Sequence, residues 1–286
     1  MSATVQNSNM TTAAASDDAA ILAVFEWLAL SAGRKVMDVY RAGCAVDRKS
    51  DASPVTEADR ASERIILEGL RAAFPAVPCV AEEEASEGIV PPDLGGLFFL
   101  IDPLDGTKEF VNRNTDFTVN IALVRDGLPE IGVVYAPCSG RFFSGRPGLA
   151  ELVEVDAKHE ISGRQRIAVR AGAAPLTIVA SRSHRTPETD SFIRNFEAAE
   201  IVSVGSSLKF CLLAAGEADI YPRFGRTMEW DTAAGDAVLR AAGGTTSTLD
   251  GRALAYGKRN QADDADFANP FFVARGNVEG FLETTV

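Results

Sequence analysis

No apolar run in this 286-residue sequence approaches the roughly 20 residues that a membrane-spanning helix requires. The first 16 residues, ending at Ser16, lack the basic start and apolar centre of a secretion signal. They are polar and rich in Ala, Thr and Ser, and are expected to form a disordered tail. Positive charge is also short: 28 Lys and Arg face 40 Asp and Glu, for a net charge of −12. That balance argues against non-specific binding to nucleic acid or to an anionic membrane. An anionic substrate would therefore need bound cations, and a few local Lys or Arg residues, to reverse the field at its site. CxxC spacing is absent too. Cys44, Cys79, Cys138 and Cys211 are far apart and read as buried free thiols of a reducing compartment. Ser183 and His184 are neighbours, but nothing nominates the third group that a Ser–His nucleophile needs.

What remains is ordinary globular composition, 46% hydrophobic and 24% charged. The length suits one large domain or two modest ones. Asp17 and Asp18 can cap a helix from about Ala19 to Ala42, with Ile21, Val24, Phe25, Leu28 and Val36 on its apolar side. A second helix opens at Val55-Thr56-Glu57-Ala58-Asp59 and runs to about Phe74, before Pro75. Pro78 to Ala81 reads as a strand. Phe117 to Arg125 and Glu130 to Ala136 read as strands joined by an Asp126-Gly127 turn. Arg141 to Ser144 is a candidate third.

Gly145 to Gly163 is rich in Gly and charge, and a domain boundary is placed there. It gives an N-terminal half over 17–150 and a C-terminal half over 151–286. His159 falls in this stretch as a solvated loop residue. Beyond it, strands at Leu176 to Ala180, Ile201 to Val204, Ala218 to Tyr221 and Phe271 to Ala274 alternate with helices. The helices follow Thr186-Pro187, span Ser206 to Ala215, and span Asp231 to Ala242. The alternation indicates an α/β half.

The most informative stretch is Phe98-Phe99-Leu100-Ile101-Asp102-Pro103-Leu104-Asp105-Gly106-Thr107. A short apolar strand runs into a turn carrying two carboxylates and a hydroxyl, with Pro103 and Gly106 shaping the backbone. Carboxylates so close repel unless a cation lies between them. Asp102, Asp105 and the Leu104 carbonyl are hard oxygen donors suited to Mg²⁺, Mn²⁺ or Ca²⁺. Further acids follow other apolar segments: Asp59 in the first turn of a helix, the run Glu82 to Glu84 after a strand, and Asp231 at the start of another helix. A helix cap accounts for Asp59 or Asp231 singly, but not for the recurrence.

The set Pro54-Val55-Thr56-Glu57-Ala58-Asp59, Glu82-Glu83, Ile101 to Thr107 and Trp230-Asp231-Thr232-Ala233-Ala234-Gly235 resembles the inositol monophosphatase superfamily of metal-dependent, lithium-sensitive phosphatases. Lys108-Glu109-Phe110, Phe117 to Leu123, Ser181-Arg182-Ser183-His184, Gly205 to Cys211 and Tyr221-Pro222-Arg223 narrow the resemblance to bacterial-type 3′(2′),5′-bisphosphate nucleotidases. The resemblance implies a layered αβαβα sandwich of the inositol monophosphatase and fructose-1,6-bisphosphatase type, with the site between its halves. Glu82, Asp102, the Leu104 carbonyl, Asp105 and Asp231 would hold two or three Mg²⁺, for which Mn²⁺ could substitute. The run of three acids leaves open whether Glu82 or Glu83 is the principal ligand. Asp59 and Thr107 would orient and deprotonate the attacking water. Gly106, Thr107, His184, Ser206, Lys209, Arg223 and Asp231 would meet the substrate, the cations through charge-assisted bonds. Phe210 and Trp230 are assigned to the core.

The expected reaction is removal of the 3′-phosphate of adenosine 3′,5′-bisphosphate to give AMP, with its phosphosulfate analogue as a further candidate substrate. An inositol- or sugar-phosphate phosphatase with the same metal site is the alternative enzyme, and a non-catalytic nucleotide or metal sensor the alternative class. The partner is then a small phosphorylated nucleotide rather than nucleic acid. The resemblance implies a monomer or homodimer in the cytoplasm, with the periphery of the inner membrane as an alternative location.

Overall fold

Asp17 stands extended ahead of helix α1 (Asp18–Ala42), and its carboxylate accepts from the N–H groups of Ala19 and Ala20. Those donors have no partner inside a first turn, which is why an acid starts the helix there. Gly43, at φ +79°, ends it. Ile21, Phe25, Leu28, Ala32 and Val36 recur at helical spacing and are buried. The computed structural model describes residues 17–43, 46–49, 54–181, 185–196 and 198–278. The N-terminal tail, Cys44 and the Ser183-His184 pair lie outside the described residues.

A short antiparallel pair, β1 (Val46–Arg48) and β2 (Pro54–Thr56), leads into α2 (Glu57–Ala73). A seven-stranded sheet follows in chain order: β3 (Cys79–Ala81), β4 (Leu97–Asp105), β5 (Thr118–Arg125), β6 (Leu128–Ala136), β7 (Arg141–Arg146), β8 (Leu149–Val155) and β9 (Ile161–Arg166). The short helices α3 (Glu82–Ser86) and α4 (Thr107–Val111) follow β3 and β4. Only the β3–β4 pair is parallel.

The second half comprises β10 (Thr177–Ser181), α5 (Pro187–Ile193), β11 (Glu200–Val204), α6 (Leu208–Ala214), β12 (Ile220–Arg223), α7 (Ala233–Ala241), β13 (Thr245–Thr248) and β14 (Phe272–Arg275). Its five strands pair in the order β11-β10-β12-β14-β13.

Three apolar clusters order the layers. Helices α1 and α2 pack on one face of the large sheet, with Phe25, Leu28, Ile66, Phe99, Ile121 and Tyr135 in one core. The opposite face, through Leu100, Ala122 and Phe143, meets α6 and α7, which also cover the small sheet through Tyr221 and Phe272. Ile193 of α5 packs against Ile178 and Ile220 on the far side. The result is the expected α/β/α/β/α layering. Phe210 and Trp230 lie in the middle layer, as expected of core residues. Among the described residues no helix is long and apolar enough to cross a membrane.

Several expectations need correction. The division at residue 150 falls inside the large sheet, since β8 and β9 continue it to Arg166 and the small sheet begins at Thr177. Strand β9 escapes the hydrophobic pattern because it is an almost wholly exposed edge. The Asp-Pro-Leu-Asp segment is not a turn: β4 runs through it to Asp105, with a register shift between Asp102 and Asp105. Pro103 has no N–H to give a ladder, so the bulge falls there. Helix α7 starts at Ala233, two residues after Asp231, so Asp231 is not its cap. His159 is buried, its Nδ1 2.6 Å from the Tyr135 hydroxyl. Of the described cysteines, Cys79 and Cys211 are buried free thiols, while Cys138 is half-buried.

Candidate active site

Asp59 is the third residue of α2 and is 1% exposed. Its Oδ2 accepts from the backbone N–H and the hydroxyl of Thr56, each at 2.7 Å, while Thr56 Oγ1 accepts from Ala58 N–H. This is a capping box. The other oxygen, Oδ1, accepts from Thr107 Oγ1 at 3.0 Å. One carboxylate thus caps its helix and faces the hydroxyl that begins α4. Thr107 Oγ1 is also 3.2 Å from the Leu104 carbonyl. Gly106 makes the approach possible: its φ is +93°, and a Cβ would lie 3.0 Å from the Asp116 carbonyl.

The remaining acids gather from both halves. Asp102 accepts from Leu104 N–H at 3.1 Å, which folds the bulge around the carboxylate. Asp105 Oδ2 accepts from Ser207 Oγ at 2.8 Å, and Asp231 Oδ2 accepts from Met228 N–H at 2.9 Å. Burial raises Asp102 well above the usual carboxylate range, and the charges of Glu82, Asp105 and Asp231 add to it. Burial, then Asp105 and Glu82, push Asp231 up to about 8. Asp105 is also raised by burial, with Lys209 and Ser207 opposing. Lys209 and Arg223 only partly offset the charge of these acids, whose donor atoms are all oxygen. That is the chemistry of a site for hard divalent cations.

Among the described residues no three His, Cys, Asp or Glu side chains already converge at ligand spacing. Glu82 has a competing partner: Lys49 Nζ lies 2.7 Å from its Oε1 and 2.8 Å from Glu83 Oε1. Burial works against the Lys49 ammonium, but the two glutamates outweigh it and hold its pKa above the ordinary value. Glu82 lines the cavity that also contains Asp105 and Asp231. Glu83 and Glu84 line a separate groove with Arg60 and Arg71.

The cavity, of about 260 Å³, is lined by Glu82, Asp105, Gly106, Thr107, Ser206, Ser207, Lys209, Tyr221, Arg223 and Asp231 among others. Acids and the hydroxyl come mainly from the first half, cations from the second. Lys209 is 5% exposed, donates to the Ser206 carbonyl and lies over the Tyr221 ring. Burial lowers its pKa to about 8, against the raising effect of Asp105. Arg223 donates to the Arg226 carbonyl, but its Nε, like Ser206 Oγ, is buried without a partner among the described residues. Buried polar atoms usually have a partner, and these two belong to residues that line the cavity, where a bound ligand could supply one.

The structure therefore brings together Asp59, Glu82, Asp102, Leu104, Asp105, Gly106, Thr107, Ser206, Lys209, Arg223 and Asp231, while His184 lies outside the described residues. Sequence reasoning assigned no role to Ser207 or Asn120. Asn120 Nδ2 donates to Ser207 Oγ at 2.9 Å, and Ser207 Oγ reaches both Asp105 and the Asp231 carbonyl, at 2.6 Å. They join the two halves beneath the acids, and only three-dimensional pairing exposes this. Lys49 gave no signal either, being one cation in a polar stretch.

The inositol monophosphatase family profile matches residues 17–283. The 3′(2′),5′-bisphosphate nucleotidase CysQ of Salmonella typhimurium is 43% identical over 247 residues, covering 86% of this chain and 95% of that protein. Among solved structures, CysQ from Bacteroides thetaiotaomicron, a bacterial member of the same family, superposes with a TM-score of 0.71 at 35% identity. The match covers 88% of this chain and 95% of that one. An IMPase from Thermotoga maritima gives 0.69 at 26% identity, covering 88% and 91%. The profile spans the helices, both sheets and every acid around the cavity, so this chain belongs to the inositol monophosphatase family.

Proposed function

We propose that the protein is a Mg²⁺-dependent 3′(2′),5′-bisphosphate nucleotidase that converts adenosine 3′,5′-bisphosphate to AMP and phosphate. The observation that carries the substrate assignment is the cationic wall of the cavity, where buried Lys209 and Arg223 stand with the unpartnered Ser206 Oγ and Arg223 Nε. A substrate with one phosphate on the acidic side would leave these donors unused. The 43% identity to the nucleotidase CysQ points the same way. The phosphosulfate analogue presents an anion at the same position, and we include it as a substrate.

Glu82, Asp102, the Leu104 carbonyl, Asp105 and Asp231 would hold two or three Mg²⁺, with Mn²⁺ able to substitute. When bound, the cations would supply Lewis-acid chemistry, lowering the pKa of water and stabilising charge in the displacement. Asp59 holds the Thr107 hydroxyl, whose oxygen keeps lone pairs with which to accept a proton. Thr107 Oγ1 can take a proton from the attacking water while passing its own to Asp59 Oδ1. Lys209 and Arg223 hold the phosphate that does not react, and with Ser206 they fix the nucleotide's orientation. Gly106 keeps the wall beside Thr107 free of side chain. Lithium sensitivity, a cytoplasmic setting and a role in recycling a by-product of sulfur assimilation belong to the same proposal.

Phosphate release from adenosine 3′,5′-bisphosphate, inositol 1-phosphate and fructose 1,6-bisphosphate, with and without chelator, tests it. The expected result is preference for the nucleotide, loss of activity on chelation, and inhibition by millimolar lithium. Preference for inositol 1-phosphate would favour the alternative phosphatase, and activity surviving exhaustive chelation would remove the metal-dependent reading.

A further inference from the structure

Helix α2 carries two acids one turn apart on the same face. Asp59 turns to Thr107. Glu63, four residues on and only 5% exposed, turns to the neighbouring α3. Its Oε2 accepts from Glu83 N–H at 2.7 Å and its Oε1 from Glu84 N–H at 2.9 Å. Both donors belong to the first turn of α3, where the helix supplies no acceptors of its own. The residue before that turn, Ala81, makes no side-chain cap. Glu63 therefore supplies from a neighbouring helix what the local sequence lacks. Two charge-assisted bonds to adjacent N–H groups fix orientation as well as distance. Arg71 also pairs with Glu84 between the two helices, but this arginine is half exposed and holds less firmly. Glu63 does not line the catalytic cavity, and neither proton transfer nor substrate binding calls on it. Yet a buried carboxylate is costly unless its bonds serve the fold around it. The residue adjoining the clamped pair is Glu82, a candidate cation ligand.

We propose that Glu63 is a positioning residue that clamps α3 so that the Glu82 carboxylate stays in register with the Asp59–Thr107 pair, and that it thereby sets the affinity for divalent cation. The inference rests on the metal-dependent phosphatase reading. One rigid helix then carries both the proton acceptor and the brace of a ligand, so the spacing of α2 couples the two functions.

The test is calorimetric titration of Mg²⁺ into the full chain as wild type, Glu63→Ala and Glu63→Gln, paired with kcat as a function of Mg²⁺. Loss of a bond partner that orients a metal ligand weakens affinity by about 10- to 100-fold, and that is expected for Glu63→Ala. Glu63→Gln keeps one acceptor but sets an NH₂ group against the other N–H, so a smaller loss of the same sign is expected. At saturating Mg²⁺ the Gln variant should recover kcat to within about twofold of wild type, because the proton path is intact. A purely structural role would lower Tm and leave Mg²⁺ affinity unchanged, and that result in Glu63→Gln would overturn the proposal even if Glu63→Ala failed to fold. So would a loss of kcat that saturating Mg²⁺ does not restore. If the wild-type chain itself bound no Mg²⁺ and released no phosphate, the functional reading would fall and take this inference with it. Wild-type binding with unchanged variants overturns the inference alone.

Discussion

Thr107 has one proton and two acceptors within reach, Asp59 Oδ1 at 3.0 Å and the Leu104 carbonyl at 3.2 Å. The carboxylate is the stronger base, so it draws the proton and leaves the oxygen free to accept one from water. Thr107→Ala breaks that path without removing a carboxylate. It should bind Mg²⁺ like the wild type and lose about 10²–10⁴-fold in kcat, the usual share of general acid–base catalysis. Calorimetry beside steady-state kinetics separates the effects, and weakened Mg²⁺ binding with kcat intact would reverse the assignment. Thr107→Ser keeps the hydroxyl and should retain most of the turnover.

His159 yields a different prediction. Burial, then the charges of Arg41 and Arg34, lower its pKa from 6.5, with Asp38 and Asp156 opposing. The unfolded chain therefore takes up this proton at a higher pH than the native one. Between the two values the unfolded state holds more protons, so this residue's contribution falls as pH drops below about 6.5. The urea midpoint of His159→Gln should fall less than that of wild type between pH 7.5 and 5. Parallel curves would mean that His159 does not titrate in that range. Sequence placed this residue in solvent because charge surrounds it. Its imidazole instead finds the Tyr135 hydroxyl across the sheet. Asp59, Asp102, Asp105 and Asp231 were legible because their carboxylates sit within motifs that the family resemblance identifies. Ser207, Asn120, Lys49 and Glu63 act through partners distant in sequence, which no local pattern encodes.

At the scale of elements, the long helices α1 and α2 are legible within a few residues because caps and apolar stripes mark them, as with Asp17 and Thr56, whereas the five-residue helices α3 and α4 are too short to show a stripe. Strand β9 is not legible because its sequence, Ile161-Ser162-Gly163-Arg164-Gln165-Arg166, joins the sheet largely through backbone bonds and buries little. The bulge in β4 is likewise invisible in an Asp-Pro-Leu-Asp string that suits a turn equally well. Two glycines show how closely α7 lies on the large sheet. A Cβ on Gly132 would stand 2.5 Å from the Ala234 carbonyl, and one on Gly145 would stand 2.7 Å from Val238 Cα. Backbone cannot yield as a flexible side chain can. Gly132→Ala should therefore destabilise the protein by about 1–3 kcal/mol, the range for overpacking a core. Chemical denaturation measures it, and an unchanged midpoint would show that α7 is free to shift. Since Asp231 lies two residues before α7, the same variant should also weaken Mg²⁺ binding.

At the scale of the whole molecule, the net charge is −12 while the substrate we propose carries several negative charges. The fold answers by dividing labour. The large-sheet half and its helices contribute Asp59, Glu82, Asp102, Asp105 and Thr107, while the small-sheet half contributes Asp231 with Lys209 and Arg223. One wall of the cavity is suited to cations and the other to a phosphate that does not react. The most direct test of this division compares kcat/KM for adenosine 3′,5′-bisphosphate and for a substrate with a single phosphate, in wild type, Lys209→Ala and Arg223→Ala. Loss of one charge-assisted bond of roughly 1.5–3 kcal/mol should lower the bisphosphate value by about ten- to a hundredfold. The single-phosphate value should change far less, having no group at that position to lose. Equal losses on both substrates, or a wild type that prefers inositol 1-phosphate, would contradict the account.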